Sequence, residues 1–349
     1  MKYFVQITLF SFFLIFAPQV FSQSKELWSP TLAPLKHSQL LERKTTIKKY
    51  KAYELNLTAL KGLLADAPQK TTLLEKSKTI VKFPDADGVL SNFEVFEAGV
   101  MEPELALKFP DNKSYIAYAV ADKSTSIRFS LNQLGLYATI FKAGKQTQYI
   151  EPNSKDRLNY TVYSRENLDE QNQVFVCSTA EITLPNINAF AKTFNTNDAK
   201  LRTFRLAVAT TGEYSQFHIN AAGLSLGSDA QKKAAVLAAI TTTITRVNAI
   251  FERDVALSLV LVANNDQLIY LDGATDPYTN NNGNTMLIQN QTTINNVIGS
   301  PNYDIGHVFS TAGGGIAVLN SPCTSSKAQG VTGQTNPVGD AFDIDFVLT

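Results

Sequence analysis

Two hydrophobic patterns divide the chain into an earlier and a later part. Between residues 79 and 150, short runs of β-branched and aromatic residues are separated by turn signals such as Asp87-Gly88 and Pro110-Asp111. Runs of this length, bounded by Gly, Pro and Asp, are typical of strands joined by tight connections. This part therefore predicts an antiparallel β domain, with strands at residues 79–83, 93–96, 115–120, 127–129 and 136–141.

After residue 200 the period of the pattern changes. Ser228 or Asp229 is placed as the N-cap of a segment that ends at residue 254, and its apolar residues recur at helical spacing, at Val236, Ile240, Ile244, Val247 and Phe251. Apolar residues three or four positions apart lie on one face of a helix. We predict one long amphipathic helix here.

Strand-like runs flank this helix on both sides. Residues 204–210 precede it and residues 255–262 follow it. Strand, helix and strand in this order are typical of a βαβ unit with parallel strands. A weaker helix at residues 286–298 and a further strand at residues 303–310 continue the pattern. The predicted fold class is therefore α+β, an antiparallel β-rich domain followed by an α/β domain.

The first residues have the pattern of a secretory signal peptide. Lys2 precedes an apolar run over residues 4–17, and small or apolar residues at positions 20–22 suit cleavage near Ser22. An anchor helix is the alternative, but the run is shorter than the ~20 apolar residues that a bilayer requires. We predict a signal peptide over residues 1–22, secretion of the mature protein, and no later membrane span.

The region between the two patterns has the composition of a linker. Residues 178–200 are rich in Asn, Thr and Ala and show no clear period. The predicted organisation is a β-rich domain over residues 23–177, a linker over residues 178–200 and an α/β domain over residues 201–349.

Charge and cysteine content narrow the classes of partner. The chain has 31 basic and 31 acidic residues and no block of Lys or Arg, so we do not expect a nucleic-acid partner. The two cysteines, Cys177 and Cys323, could form one disulfide in an oxidising compartment, or each could be an inert thiol.

Local motifs do not by themselves give a catalytic site. The three histidines, His37, His218 and His307, have no zinc-type spacing, so a structural role is the simpler interpretation of each. The Asn-rich loop at residues 276–284 lacks the spacing of an EF-hand. Glycines 313–315 lack the Lys-Ser/Thr of a phosphate loop, and glycines beside a strand instead suit the close approach of another backbone.

Several spaced motifs together resemble a known family. Residues 201–349 resemble the N-terminal part of a reprolysin-like (adamalysin-type) metzincin catalytic domain, in the form found in secreted bacterial metallopeptidases. The matching features are Phe204-Arg205-Leu206-Ala207-Val208, Arg246-Val247-Asn248-Ala249-Ile250-Phe251-Glu252, Val255-Ala256-Leu257, Tyr303-Asp304-Ile305-Gly306-His307, Gly314-Gly315-Ile316-Ala317, and Cys323 followed by Lys327-Ala328-Gln329-Gly330-Val331. Residues before Leu201 resemble the propeptide of that family, including Met101-Glu102-Pro103-Glu104-Leu105.

The resemblance implies a zinc-dependent endopeptidase acting on protein or peptide substrates. It implies that the substrate backbone binds as an added antiparallel strand at Gly314, Gly315, Ile316 and Ala317. In the family, zinc is held by His-Glu-x-x-His-x-x-Gly-x-x-His and activates the attacking water. That motif would follow Thr349, so we expect an incomplete catalytic domain, an inactive chain and no zinc bound to it.

The resemblance also gives each cysteine a role. Cys177 would be a latency ligand that occupies the fourth zinc position as a thiolate, with a buried structural thiol as the alternative. Cys323 would pair with a cysteine beyond Thr349. A non-catalytic secreted module that binds a peptide or protein at an exposed β-edge remains the alternative function. The oligomeric state has no signal in the sequence.

Overall fold

The computed structural model describes residues 26–31, 35–41, 46–71, 75–169, 200–339, 342–343 and 347. The predicted signal peptide and most of the predicted linker, together with Cys177, lie outside the described residues. The described residues form two β-sheets, one in each of the two parts that the hydrophobic pattern distinguishes.

The first sheet is entirely antiparallel and has nine strands in the order β1-β2-β9-β8-β7-β6-β5-β4-β3. The strands are β1 Trp28–Pro30, β2 Lys51–Leu55, β3 Ile80–Pro84, β4 Leu90–Glu97, β5 Lys113–Ala119, β6 Ser126–Asn132, β7 Gly135–Phe141, β8 Gln148–Pro152 and β9 Asn159–Ser164. This confirms the predicted antiparallel β domain. The five predicted strands correspond to β3–β7, and the prediction missed β1, β2, β8 and β9, as well as the short helices α1 Leu57–Leu64 and α2 Pro103–Lys108.

Alternation along β6 shows how this sheet builds its core. Ile127, Phe129 and Leu131 are buried in the core of the first sheet, together with Leu60 and Leu64 of α1. Side chains at every second position of a strand share one face, so the apolar positions define the inner face. The two edge strands approach each other, because the indole Nε1 of Trp28 on β1 donates to the carbonyl of Lys82 on β3 at 2.8 Å.

The second sheet has five strands in the order β11-β10-β12-β14-β13. They are β10 Arg202–Thr210, β11 Leu257–Leu261, β12 Ile305–Ser310, β13 Ile316–Ala317 and β14 Gly330–Gly333. Four of these strands are mutually parallel, and β13 alone runs antiparallel to its neighbour β14. Because β10 and β11 are adjacent and parallel, the predicted βαβ unit is confirmed.

In the described part of the chain, three α-helices accompany this sheet, namely α3 Gly212–Ala221, α4 Asp229–Asp254 and α5 Gly283–Val297. Helix α4 begins with a capping box, in which Ser228 caps the helix and the side chain of Gln231 accepts from the Ser228 backbone N–H. The prediction of an amphipathic helix is only half right, because all residues from 235 to 249 are buried. A helix buried on all sides lies between two layers.

Helix α4 lies between the two sheets. Val236, Ile240 and Ile244 pack into the core of the second sheet, whereas Thr242 bonds Ser130 of β6 at 3.1 Å and Thr245 donates to Ser114 of β5 at 3.0 Å. By length and composition α4 is also apolar enough to cross a membrane, although the sequence predicted no membrane span after the signal peptide. Since 83% of its most apolar window is buried inside the protein, a core helix accounts for the same pattern.

Candidate functional site

The four predicted substrate-binding residues lie at one edge of the second sheet. Gly314 and Gly315 lead into β13, which consists of Ile316 and Ala317 and pairs with Val331 and Gly330 of β14. Among the strands that the structure describes, β13 pairs with β14 alone, and Gly315 just before it lies in a further β-bridge. The structure thus brings the four residues together along one backbone segment.

Hydrogen bonding assigns a direction to each backbone group of this segment. The carbonyl of Gly314 accepts from Gly333 N at 3.2 Å, and Val318 N donates to the Gln329 carbonyl at 3.0 Å. Backbone groups of successive residues in a strand point to opposite sides. The N–H and C=O groups of Gly315 and Ala317 therefore point away from β14.

Two glycines shape the turn that precedes the edge. Gly313 and Gly314 have φ values of +92° and +71°, which are in the left-handed region that glycine adopts without steric cost. Helix α5 begins directly against this turn, because a Cβ on its first residue, Gly283, would lie 2.6 Å from the Gly313 carbonyl oxygen. The turn and the helix N-terminus can pack this closely only without side chains at these positions.

One asparagine joins two loops next to the edge. The Asn280 Oδ1 accepts from the Thr211 hydroxyl at 2.9 Å and from Thr311 N at 3.1 Å, and its Nδ2 donates to the Thr311 hydroxyl at 2.9 Å. Thr211 follows β10 and Thr311 follows β12, so Asn280 fixes the ends of two parallel strands. Sequence reasoning missed this role, because the Asn-rich loop was considered only for calcium.

His307 is a structural residue of the sheet, as its sequence context suggested. Its Nε2 lies 2.8 Å from the Thr332 hydroxyl, across the β12–β14 pair. Burial lowers the pKa of His307 to about 4, so the ring is neutral at pH 7. A Cβ at Gly330 would lie 2.6 Å from the His307 Nδ1, which shows how closely the ring packs on β14.

A second buried histidine, His218, lies on α3 within an aromatic cluster. His218 is 3% exposed, and burial lowers its pKa to about 3 despite a hydrogen bond to the backbone of Pro337. Its ring centroid is 4.5 Å from that of Tyr214, which also contacts Phe309 and Phe342. Burial raises the pKa of Tyr214 well above its usual value, and the charge of Asp343 adds to this effect. Both rings are therefore neutral near pH 7.

The motifs that carry the family resemblance meet in the second domain. The Arg205 side chain binds Asp304 through both nitrogens Nε and Nη2, at 3.2 and 2.8 Å, which joins β10 to the start of β12. The Asn248 amide bonds both backbone groups of Leu259, at 2.8 and 2.9 Å, and so joins α4 to β11. These polar side chains hold the layers of the domain in place.

Arg246 connects both domains and the C-terminal segment. Its Nη2 donates to Glu151 Oε1 on β8, and its Nη1 donates to Asp343 Oδ2 at 3.1 Å. The side chains of all three residues are at most 4% exposed. The Thr243 hydroxyl donates to Asp343 at 2.6 Å, and the Tyr163 hydroxyl donates to Glu151 at 2.9 Å. A cation buried between two carboxylates thus links the first sheet, α4 and residue 343.

The residues present do not fit a zinc site. Within the described part of the chain, no group of three His, Cys, Asp or Glu side chains is arranged to hold a metal ion. His218 and His307 are each held in the protein interior by the contacts given above, and His37 is exposed. Cys323 is exposed and not in a disulfide. Its predicted pairing with a residue beyond Thr349, and the zinc-binding role of Cys177, remain predictions.

A family model matches the later part of the chain. Residues 237–348 match the family model described as metallo-peptidase family M12B, reprolysin-like. The matched segment begins inside α4 and contains β11, α5, β12, β13 and β14, and so includes the edge strand and its glycine turn. No curated protein matched the chain.

Proposed function

Because residues 237–348 are reprolysin-like and the M12B family consists of zinc metallopeptidases, we propose that this chain is the precursor form of a secreted metalloendopeptidase. Its second domain binds the substrate backbone on β13. Its first domain, over residues 23–177, is the propeptide, and residues 1–22 direct export. The zinc ligands would lie outside the residues that the structure describes.

The backbone of residues 315–317 that faces away from β14 carries this proposal. An extended peptide can add to such an edge as a further antiparallel strand, and main-chain hydrogen bonds then supply affinity while side-chain pockets supply selectivity. Gly315 and Ala317 direct their backbone groups to this side, as the bonding of Gly314 and Val318 to β14 requires. The chain's own residues would thus bind and orient the substrate, while the metal supplies the hydrolytic chemistry.

A substitution at Ala317 tests the edge directly. Ala317→Pro removes the outward N–H without removing a bond to β14, and proline is accepted on edge strands in this orientation. Ala317→Val retains that N–H and is the matched control. We expect kcat/KM for an internally quenched peptide to fall about 5-fold in the proline variant, the cost of one hydrogen bond, and to change little in the valine variant.

The measurement uses the protein encoded by the complete reading frame, with and without a zinc chelator. Chelator-sensitive hydrolysis and a selective loss in Ala317→Pro would support the proposal. Equal activities of the two variants would remove the edge from the substrate site, and hydrolysis that resists the chelator would exclude a metallopeptidase.

The alternative function is a secreted peptide-binding module. The same backbone groups support it, because strand addition at β13 needs no metal. Saturable binding of an uncleaved extended peptide, lost in Ala317→Pro and retained in Ala317→Val, together with no hydrolysis by the complete protein, would favour this alternative.

A further inference from the structure

The segment Met101-Glu102-Pro103-Glu104-Leu105 of the first domain lies on the second domain. Leu261 N on β11 donates to the Val100 carbonyl at 2.8 Å, and Glu102 N donates to the Leu261 carbonyl at 2.8 Å. Met101 thereby forms a parallel bridge with Leu261. The first domain therefore covers the β11 edge of the second sheet at this point.

Side chains of the same segment complete the contact. The Glu102 carboxylate accepts from Ala263 N at 2.8 Å, just beyond the end of β11. Pro103 then begins α2, and Leu105 and Val100 are 0% and 1% exposed within the hydrophobic core of the second domain. That core thus contains residues of the first domain, whereas Leu107 on the same short helix is 82% exposed.

Polar pairs also link the two domains. Arg128 of β6 donates to Glu252 of α4 at 3.1 Å, and the Asn132 amide donates to the Ala238 carbonyl of α4 at 3.1 Å. Ser130 and Ser114 bond to Thr242 and Thr245 on the same helix. Small polar side chains of this kind can be exposed to water at little cost. Their hydrogen bonds form only when the two domains dock in one defined orientation.

We propose that residues 100–105 form a latch by which the first domain binds the second as a non-covalent partner, so that the two domains stay associated after the chain is cut between residues 169 and 200. The latch combines main-chain bonds to an edge strand, two buried apolar side chains and a carboxylate on a backbone N–H. No covalent connection is needed for any of these contacts.

This docking site lies away from the proposed substrate edge. Strands β11 and β13 are at opposite ends of the five-stranded sheet, and four strand spacings amount to about 19 Å. The contacts of residues 100–105 with β11 therefore lie at the opposite end of the sheet from β13. Docking at β11 and peptide binding at β13 therefore use different edge strands of the sheet.

The test uses the full chain with a site for a sequence-specific protease inserted after residue 185. The folded protein is cut, and co-elution of the two pieces is measured by gel filtration over a dilution series. Leu105→Ala removes the buried latch side chain, and Leu107→Ala is the matched control two residues away. Glu102→Ala removes the carboxylate and leaves both hydrophobic cores intact.

We expect the wild-type pieces and the Leu107→Ala pieces to co-elute at micromolar concentration. In Leu105→Ala the dissociation constant should rise on the order of 30-fold or more, as for the loss of a buried leucine side chain, and in Glu102→Ala by about 5-fold. Separation of the wild-type pieces on cutting would overturn the proposal, as would equal dissociation constants for the control and both latch variants. The test needs no peptidase activity, so its result is independent of the proposed function.

Discussion

Replacing Arg246 by methionine should destabilise both domains together. Arg246 is buried between Glu151 of the first sheet and Asp343 near the end of the chain, and methionine fills a similar volume without a charge. The substitution leaves two carboxylates buried without their cation. Removing one partner of a buried ion pair costs about 3–5 kcal/mol, so we expect the free energy of unfolding to fall by about that amount.

Two spectroscopic probes distinguish a local effect from a coupled one during urea unfolding. The chain has one tryptophan, Trp28, which is 2% exposed in the first core, so its fluorescence reports on the first domain. Circular dichroism at 222 nm reports mainly on the helices, of which α4 with 26 residues is the longest described. Because Arg246 connects both domains, both transitions should move to lower urea concentration.

Two further variants make the reasoning refutable. The triple variant Arg246→Met, Glu151→Gln and Asp343→Asn contains no buried charge in this network and should recover most of the lost stability. Lys145→Ala breaks an exposed pair with Asp87 and should change stability by less than about 0.5 kcal/mol. A loss below about 1 kcal/mol in Arg246→Met, or a triple variant as unstable as the single one, would refute the assigned role of the network.

Three further outcomes can be measured by the same unfolding experiments. Burial holds the folded pKa of His218 at about 3, whereas the unfolded value is ~6.5. Only the unfolded state takes up this proton as the pH falls through 6.5, so stability is lost on acidification, by about 2 kcal/mol between pH 7 and pH 5, and His218→Phe should lack this contribution. Gly333→Ala would place a Cβ 1.8 Å from the Ala312 carbonyl oxygen and should cost about 1–3 kcal/mol or more. Gly62→Ala, on the exposed side of α1 with no atom within 4 Å of the new Cβ, should instead stabilise by about 0.5–1 kcal/mol.

The elements that sequence predicted correctly are those whose pattern is local. Ile127 and Phe129 mark the inner face of β6, and Ile240 and Ile244 mark the face of α4 that packs on the second sheet. The pattern did not show what the opposite faces of these two elements contact. Ser130 and Thr242 have the polarity of exposed positions, yet they bond to each other across the domain boundary, 112 residues apart. Local periodicity carries no information about which polar face meets another.

The same limit applies to the candidate site. Glycines next to a strand indicated the edge at residues 314–317, because a close approach of two backbones requires residues without a side chain. The residue type of Asn280 gave no such indication. Its bonds reach Thr211, 69 residues away, and Thr311, 31 residues away, and several neighbouring asparagines have the same side chain. Only the fold selects the one that lies between the two strand ends.

The two outer strands of the second sheet, β11 and β13, differ in length and in what covers them. This difference relates the latch to the proposed function. An unpaired edge invites association with other chains, and proteins commonly cover such edges or keep them short. Val100 and Glu102 bond to the β11 edge, whereas β13 is limited to two residues that follow a turn with positive φ at Gly313 and Gly314. A short edge of this kind offers few backbone groups for indiscriminate pairing, yet it offers enough to align one extended peptide. Covering one edge while shortening the other is the arrangement expected of a sheet that must bind a strand without aggregating.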